Sequence, residues 1–279
     1  MKIRGIQQII DIIRGKYFGL APMVIKSELM KKAQNYHTLA FGSSHMEHGF
    51  IPNDGEINIA SPSQDLYNIY HLYKKYNTTK VKKIILTFSV FSPGDRLLYS
   101  GLSGMTILYK YLHDIPYENK KLAKKKHYDI LSFFYIRAAK KFQKNLVLPE
   151  NYRGERLTRS NSFAQDPEVL KTRALKHYKI NQREKIPMEY FKKLLDETAS
   201  NEQKIYIILP PALDAYKNPL PTSDIIFEEL YKTCEDYSHV KILNLYDNTE
   251  FTATDFVDGD HVNEAGAIKM TQKIHDFIQ

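Results

Sequence analysis

The sequence contains a single cysteine, Cys234, among 279 residues. An internal disulfide and a cysteine-based zinc site are thereby excluded, and the chain does not depend on an oxidising compartment. Long apolar runs are also missing. The longest near the start, Phe18 to Ile25, contains Pro22 and is too short to span a bilayer. Charges interrupt the first twenty residues before the apolar stretch of a signal peptide forms. These features lead to the expectation of a cytoplasmic protein. Glycine and proline, twelve of each, are too few for a fibrous or low-complexity chain. Acidic residues are outnumbered, 32 against 40 Lys and Arg, which leaves a net charge of +8. Such a surface suits anionic partners: nucleic acid, acidic glycans, nucleotide-linked donors or anionic lipid. An ordinary solvated basic surface explains it equally well.

Hydrophobic residues make up 43% of the chain, enough for a sizeable core. Five segments read as buried strands: Thr38–Gly42, Glu56–Ala60, Lys83–Val90, Lys204–Leu209 and Val240–Tyr246. They are short, nearly continuous apolar runs followed by turn residues, the pattern of a parallel sheet covered on both faces. Helical periodicity falls between them, over Asp65–Tyr76, Met188–Thr198, Ser223–Tyr237 and Glu264–Phe277, with Asn263 as the N-cap of the last. Alternating strands and helices predict one α/β domain over 1–279, a flavodoxin-like, doubly wound sheet of five parallel strands in three α/β/α layers. Ligands of such sheets bind beyond the carboxyl ends of the strands.

Two regions stand outside this rhythm. Residues 1–35 form a helical extension in which Ile6, Ile9, Ile10 and Ile13 share a stripe flanked by Lys2, Arg4, Arg14 and Lys16. The stripe fits packing on the protein's own core better than it fits peripheral contact with the inner membrane face, and both readings stay open. Residues from about 94 to 202 form a mostly helical, basic insertion. It carries the run Lys120 to His127, the aromatic cluster Phe133-Phe134-Tyr135 and the polar stretch Arg153–Pro167. It is expected to fold over the active face, or else to be a helical embellishment with a solvated side.

The chemistry-bearing residues lie at opposite ends of the chain. After the first strand comes Gly42-Ser43-Ser44-His45, a tight turn that offers hydroxyls next to backbone N–H groups. Either serine could instead cap the next helix. Before the last helix comes Asp258-Gly259-Asp260-His261. An Asp three residues before a His can accept the imidazole Nδ1–H, which leaves Nε2 free to take a serine proton. Asp255 and Asp260 compete for that role, but Asp260 adjoins the histidine and is expected to point away. The same segment also reads as simple turn chemistry. His45-Met46-Glu47-His48 has the spacing of a two-histidine metal pair. No third ligand is suggested nearby, so no metal is expected.

Taken together, these blocks resemble the SGNH, or GDSL-like, hydrolase superfamily. The likeness spans most of the chain outside the insertion. It implies Ser44, rather than Ser43, as nucleophile, with Asp258 and His261 completing a Ser-Asp-His triad and Asn263 and Gly266 following as in many members. The second block, Asn58-Ile59-Ala60-Ser61-Pro62-Ser63, implies that Ser63 supplies a backbone N–H to an oxyanion hole together with that of Ser44. The asparagine of the third block is absent; Ser89 is its positional match, and its hydroxyl could donate to the oxyanion in its place. His45, Gln64 and Asn263 are the expected substrate-binding residues. The wording of the blocks is closest to a divergent branch resembling surface-polysaccharide O-acyltransferases. The resemblance therefore implies acyl transfer from an ester through an acyl-serine, by a carbohydrate O-acetyl esterase or O-acyltransferase acting on surface glycans or sugar precursors. It requires no cofactor beyond an acyl donor such as acetyl-CoA in the case of transfer. The alternative is a catalytically inactive protein of the same fold that binds an anionic polymer. Nucleic-acid binding ranks last, because no signature accompanies the charge.

Overall fold

The computed structural model describes residues 23–31, 35–100, 103–121, 130–147, 152–156 and 166–279, with the backbone alone at 130–135 and 142. The stripe of Ile6, Ile9, Ile10 and Ile13 lies outside the described residues. So do most of the basic run and of the polar stretch, and the side chains of Phe133, Phe134 and Tyr135.

Five strands pair in parallel in the spatial order β2-β1-β3-β4-β5. They are β1 (Thr38–Phe41), β2 (Glu56–Asn58), β3 (Lys83–Thr87), β4 (Lys204–Leu209) and β5 (Val240–Asn244). The order reverses at β1, which lies between β2 and β3, with Ala40 opposite both Asn58 and Ile85. Four of the strands are shorter than their apolar runs. The runs report burial, and Ile59, Ala60, Phe88, Val90 and Leu245 stay buried after the chain has left the ladder.

The helices are α1 (23–30), α2 (Ser44–Gly49), α3 (Leu66–Tyr76), α4 (Met105–His113), α5 (Ile130–Lys144), α6 (Pro167–Asn181), α7 (Ile186–Ser200), α8 (Asp214–Lys217), α9 (Ser223–Ile226), α10 (Glu228–Cys234) and α11 (Glu264–Ile278). Side chains alternate across the sheet with a period of two. Leu39, Phe41, Ile84, Leu86, Ile205 and Ile207 enter one core with Val24 of α1, Leu72 of α3 and Phe191 of α7. Ala40, Ile85, Tyr206 and Ile208 enter the other with Met46 of α2 and Met270 and Ile274 of α11. The result is three layers, in which each fully buried large aliphatic side chain contributes about 1.5–3 kcal/mol. No helix among the described residues is long and apolar enough to cross a membrane.

Two expectations need adjustment. The helix expected over Ser223–Tyr237 is two short ones, α9 and α10, broken at Phe227, whose fully buried ring meets Tyr246 edge-on at 5.5 Å. The expected insertion also includes an ordinary layer helix. α7 packs on α3, where Lys74 meets Glu197 at 2.7 Å.

Helix α6 is the part of the β3–β4 connection that matters most for the site. It starts on an Asp166 cap and Pro167, a favourable opening pair. Near its far end, Asn181 Nδ2 donates to the Val90 carbonyl at 2.7 Å. Near its start, Leu170 packs so closely on Gly259 that a Cβ there would come within 2.6 Å of it. The helix therefore bridges the loop after β3 and the loop that carries Asp258 and His261.

Candidate active site

The turn after β1 is built for a close approach. Gly42 has φ +146, and a Cβ at this position would lie 2.0 Å from Thr87 Oγ1. Its N–H donates to Gln64 Oε1 at 3.0 Å, and its carbonyl accepts from Ser61 N at 3.2 Å. The turns after β1 and β2 are thus tied together. Ser43 takes the N-cap position of α2 without capping it, because its hydroxyl lies 3.0 Å from His45 Nδ1. Ser44 is the first residue of the helix and half-buried. The N–H groups of a first helical turn have no acceptor within their helix.

The loop before α11 supplies the histidine and the carboxylates. Val257 N donates to His261 O at 2.8 Å, and Phe256 and Val262 pair across the loop. Inside it, Asp258 Oδ1 accepts from the backbone N–H groups of Asp260, at 3.1 Å, and His261, at 2.8 Å. Both Asp258 oxygens lie 3.0 Å from His261 Nδ1. His261 Nε2 lies 2.7 Å from Ser44 Oγ. An Nδ1–H donated to Asp258 leaves the Nε2 lone pair to accept the Ser44 hydroxyl proton. Ser44, His261 and Asp258 therefore form one continuous hydrogen-bonded chain.

Beneath this chain lies a second, buried set of groups. Contrary to expectation, Asp260 does not point away from the histidine. It is 3% exposed, with Oδ1 3.5 Å from His261 Nδ1 and Oδ2 3.2 Å from His45 Nε2. The bend over residues 257–260, closed by the bonds of Asp260 N and His261 N to Asp258 Oδ1, brings both carboxylates to His261. His45 stacks on His261, with centroids 4.7 Å apart and planes 8° from parallel. Arg173, from α6, reaches both acids: Nε lies 2.9 Å from Asp260 Oδ1, and Nη1 lies 3.3 Å from Asp258 Oδ2. His177, one turn further on, bonds Tyr216 OH at 2.7 Å and lies 3.6 Å from Asp260 Oδ2. Arg173 Nη2 is also 3.1 Å from His261 Nδ1. Both are donors in this tautomer, so the productive partners of the guanidinium are the carboxylates.

The electrostatics follow from this packing. Burial opposes charge on His261, but the carboxylates of Asp260 and Asp258 outweigh it and raise its pKa above the usual 6.5. Burial lowers the pKa of His45 despite its bond to Asp260, and it pushes His177 down to about 4. Burial alone would raise the pKa of Asp260, yet His261, His45 and Arg173 hold it well below the carboxylate range. The site thus holds two carboxylates, one guanidinium and two neutral imidazoles around one histidine of raised basicity.

The other expected site residues are placed as follows. Ser63 sits in the turn held against Gly42, with a left-handed φ of 55 and a half-buried side chain. Ser89 is buried, and its hydroxyl lies 3.0 Å from His45 Nδ1. A neutral His45 that donates Nε2–H to Asp260 has one lone pair left, for the hydroxyl of Ser43 or of Ser89. Gln64 and Asn263 are 4% and 5% exposed and committed to the fold. Gln64 links Gly42 N to Ile59 O, and Asn263 caps α11 through Gly266 N at 3.1 Å while donating to Thr254 O at 2.7 Å. His45 is likewise buried, behind the base. Contrary to the expectation of substrate contact, these three are buried and hold the turns around Ser44 and His261 from behind.

The metal pair does not assemble. His45 uses both nitrogens on protein groups, and Glu47 accepts from Arg156 Nη1 at 3.3 Å. Asp258, Asp260 and His261 do present ligand atoms within 4.8 Å of one another, but Arg173 already places a cation on both carboxylates.

Arg173 and His177 were not singled out by sequence reasoning, and Asp260 was weighed there only as a rival to Asp258. The signal available for the first two was a polar pair, four residues apart, beside the buried Leu170 and Ala174 of α6.

No protein-family model matches this chain, and no curated protein matches it.

Proposed function

We propose that this protein is a serine-dependent acyl-transfer enzyme of the SGNH-like type, acting on an ester, most simply an O-acetylated carbohydrate. The observation that carries the reading is the chain from Ser44 Oγ through His261 to Asp258, with contacts of 2.7 and 3.0 Å, at the carboxyl ends of β1 and β5. The β1/β3 reversal beside it is the ligand-binding position of doubly wound sheets.

In the first half-reaction, Ser44 Oγ bonds to the ester carbonyl carbon while His261 Nε2 takes the hydroxyl proton, and the carbonyl electron pair moves onto oxygen. The N–H groups of Ser44 and Ser63 are the donors available to that oxyanion. Collapse breaks the bond to the alcohol, which leaves with the proton from His261. In the second half-reaction, water or a sugar hydroxyl attacks the acyl-serine, with His261 again acting as base and then returning the proton to Ser44. Water gives an esterase. A sugar acceptor gives an O-acyltransferase, and a donor such as acetyl-CoA then supplies the acyl group.

The alternative, a non-catalytic protein that holds an anionic polymer, draws on the missing third-block asparagine and on the contact between Ser89 and His45. Mass spectrometry after treatment with a fluorophosphonate separates the two. Label on Ser44, absent in Ser44→Ala, supports catalysis. No label, together with strongly salt-dependent binding of an acidic polysaccharide, would overturn it.

A further inference from the structure

The acid support of His261 has a charge problem that Asp258 alone does not solve. Proton transfer from Ser44 makes His261 a cation. Arg173, a permanent cation, lies with Nη2 3.1 Å from the same ring and works against that charge. With Asp258 as the only acid, guanidinium and carboxylate would cancel, and the imidazolium would face no net negative charge.

We propose that Asp260 is a second positioning acid for His261, held in place by His45 and Arg173, so that two carboxylates support the proton transfer from Ser44. This rests on the reading of Ser44 as nucleophile. Asp260 restores a net single negative charge around the ring. Its Oδ1 is 3.5 Å from His261 Nδ1, too long for the primary bond but close enough for a strong charge interaction at 3% exposure. His45 fixes its other oxygen, at 3.2 Å, and also stacks flat on His261, so that the same ring anchors the acid and braces the base.

Among the described residues, the charged or titratable groups against His261 come from three elements. Asp258 and Asp260 come from its own loop, and His45 and His48 from α2, where His48 lies at 5.0 Å between centroids. Arg173 and His177 come from α6, and Tyr216 from α8 contacts the set through His177. With charge on His45 and His177 opposed by burial, Arg173 and Asp260 set the balance that Asp258 alone cannot. The inserted helix α6 thereby becomes part of the catalytic assembly through Arg173.

The test is the pKa of His261, followed by NMR on histidine-labelled protein, beside the acid limb of kcat/KM for an acetyl ester. Asp260→Asn is expected to lower the His261 pKa by about 1 unit or more, and Arg173→Gln to raise it by a similar amount. The kinetic limb is expected to move with each. Asp258→Asn is expected to keep residual turnover that drops about tenfold further when Asp260→Asn is added. A merely structural Asp260 would lower the unfolding temperature and leave the His261 pKa in place, and that result overturns the proposal. If Asp260→Asn does not fold, Arg173→Gln decides, since a His261 pKa that does not rise also overturns it. The titration does not depend on turnover. Shifts of the expected sign without fluorophosphonate label on Ser44 would keep the charge network and discard the acyl-transfer reading.

Discussion

The rings of His45 and His261 lie face to face, 4.7 Å apart and 8° from parallel. Two stacked imidazoles repel if both are charged, so the site must decide which one takes the proton. Burial keeps His45 neutral, whereas Asp260 and Asp258 draw charge onto His261 against the same burial. The two histidines therefore divide the labour, one titrating and the other holding still.

This division sets the pH dependence. A general base must be unprotonated, and a raised pKa means that the proton is held to higher pH. Activity should therefore be lost as pH falls through a value above 6.5, and kcat/KM measured from pH 5 to 9 should show that limb. A limb below 6.5 would contradict the electrostatic account.

Asp258→Asn should lower kcat by about 10³–10⁴-fold and leave KM for a small ester nearly unchanged. The amide no longer fixes the tautomer that leaves Nε2 free. Steady-state kinetics beside circular dichroism will separate this from unfolding, since Asp258 also organises its own loop.

The turn before Ser44 should tolerate little. Gly42→Ala introduces a side chain at φ +146 and within 2.0 Å of Thr87 Oγ1, and should cost more than about 3 kcal/mol in urea unfolding. Adding Thr87→Ala should recover part of the loss, because it removes the overlap and leaves the strained backbone.

Asp95 offers a stability change away from the triad. Burial, with the charge of Asp65 second, raises its pKa from 3.8 to about 7, so the folded state holds its proton more tightly than the unfolded state does. The ionised group therefore destabilises the fold increasingly as pH rises from about 4 to 7. Asp95→Asn should stabilise the protein by roughly 2–4 kcal/mol at pH 8 and have almost no effect at pH 4. Urea titrations at the two pH values test the sign.

The same contrast between local and assembled properties governs what was legible in the sequence. The parallel sheet could be read because burial on both faces leaves a local mark, the continuous apolar runs at Lys83 and Lys204. Where those runs end in the ladder could not, since Ile59 and Phe88 remain buried beyond it. Ser44, His261 and Asp258 could be picked out because each sits in a short block beside a turn. Arg173 could not, because its meaning lies in a contact 85 positions away with Asp258, and nothing in the spacing of α6 announces it. Asp260 was misjudged for a related reason. Adjacency in sequence suggested a side chain facing away, but the bend over residues 257–260 brings it against the ring.

Ser44 and His261 are 217 positions apart, and His261 lies just before α11. During synthesis the turn of Ser44 is made 217 positions before the histidine that meets its hydroxyl. On the proposed reading, Ser44 keeps an ordinary reactivity until α11 docks against α2, so that folding itself would switch the serine on.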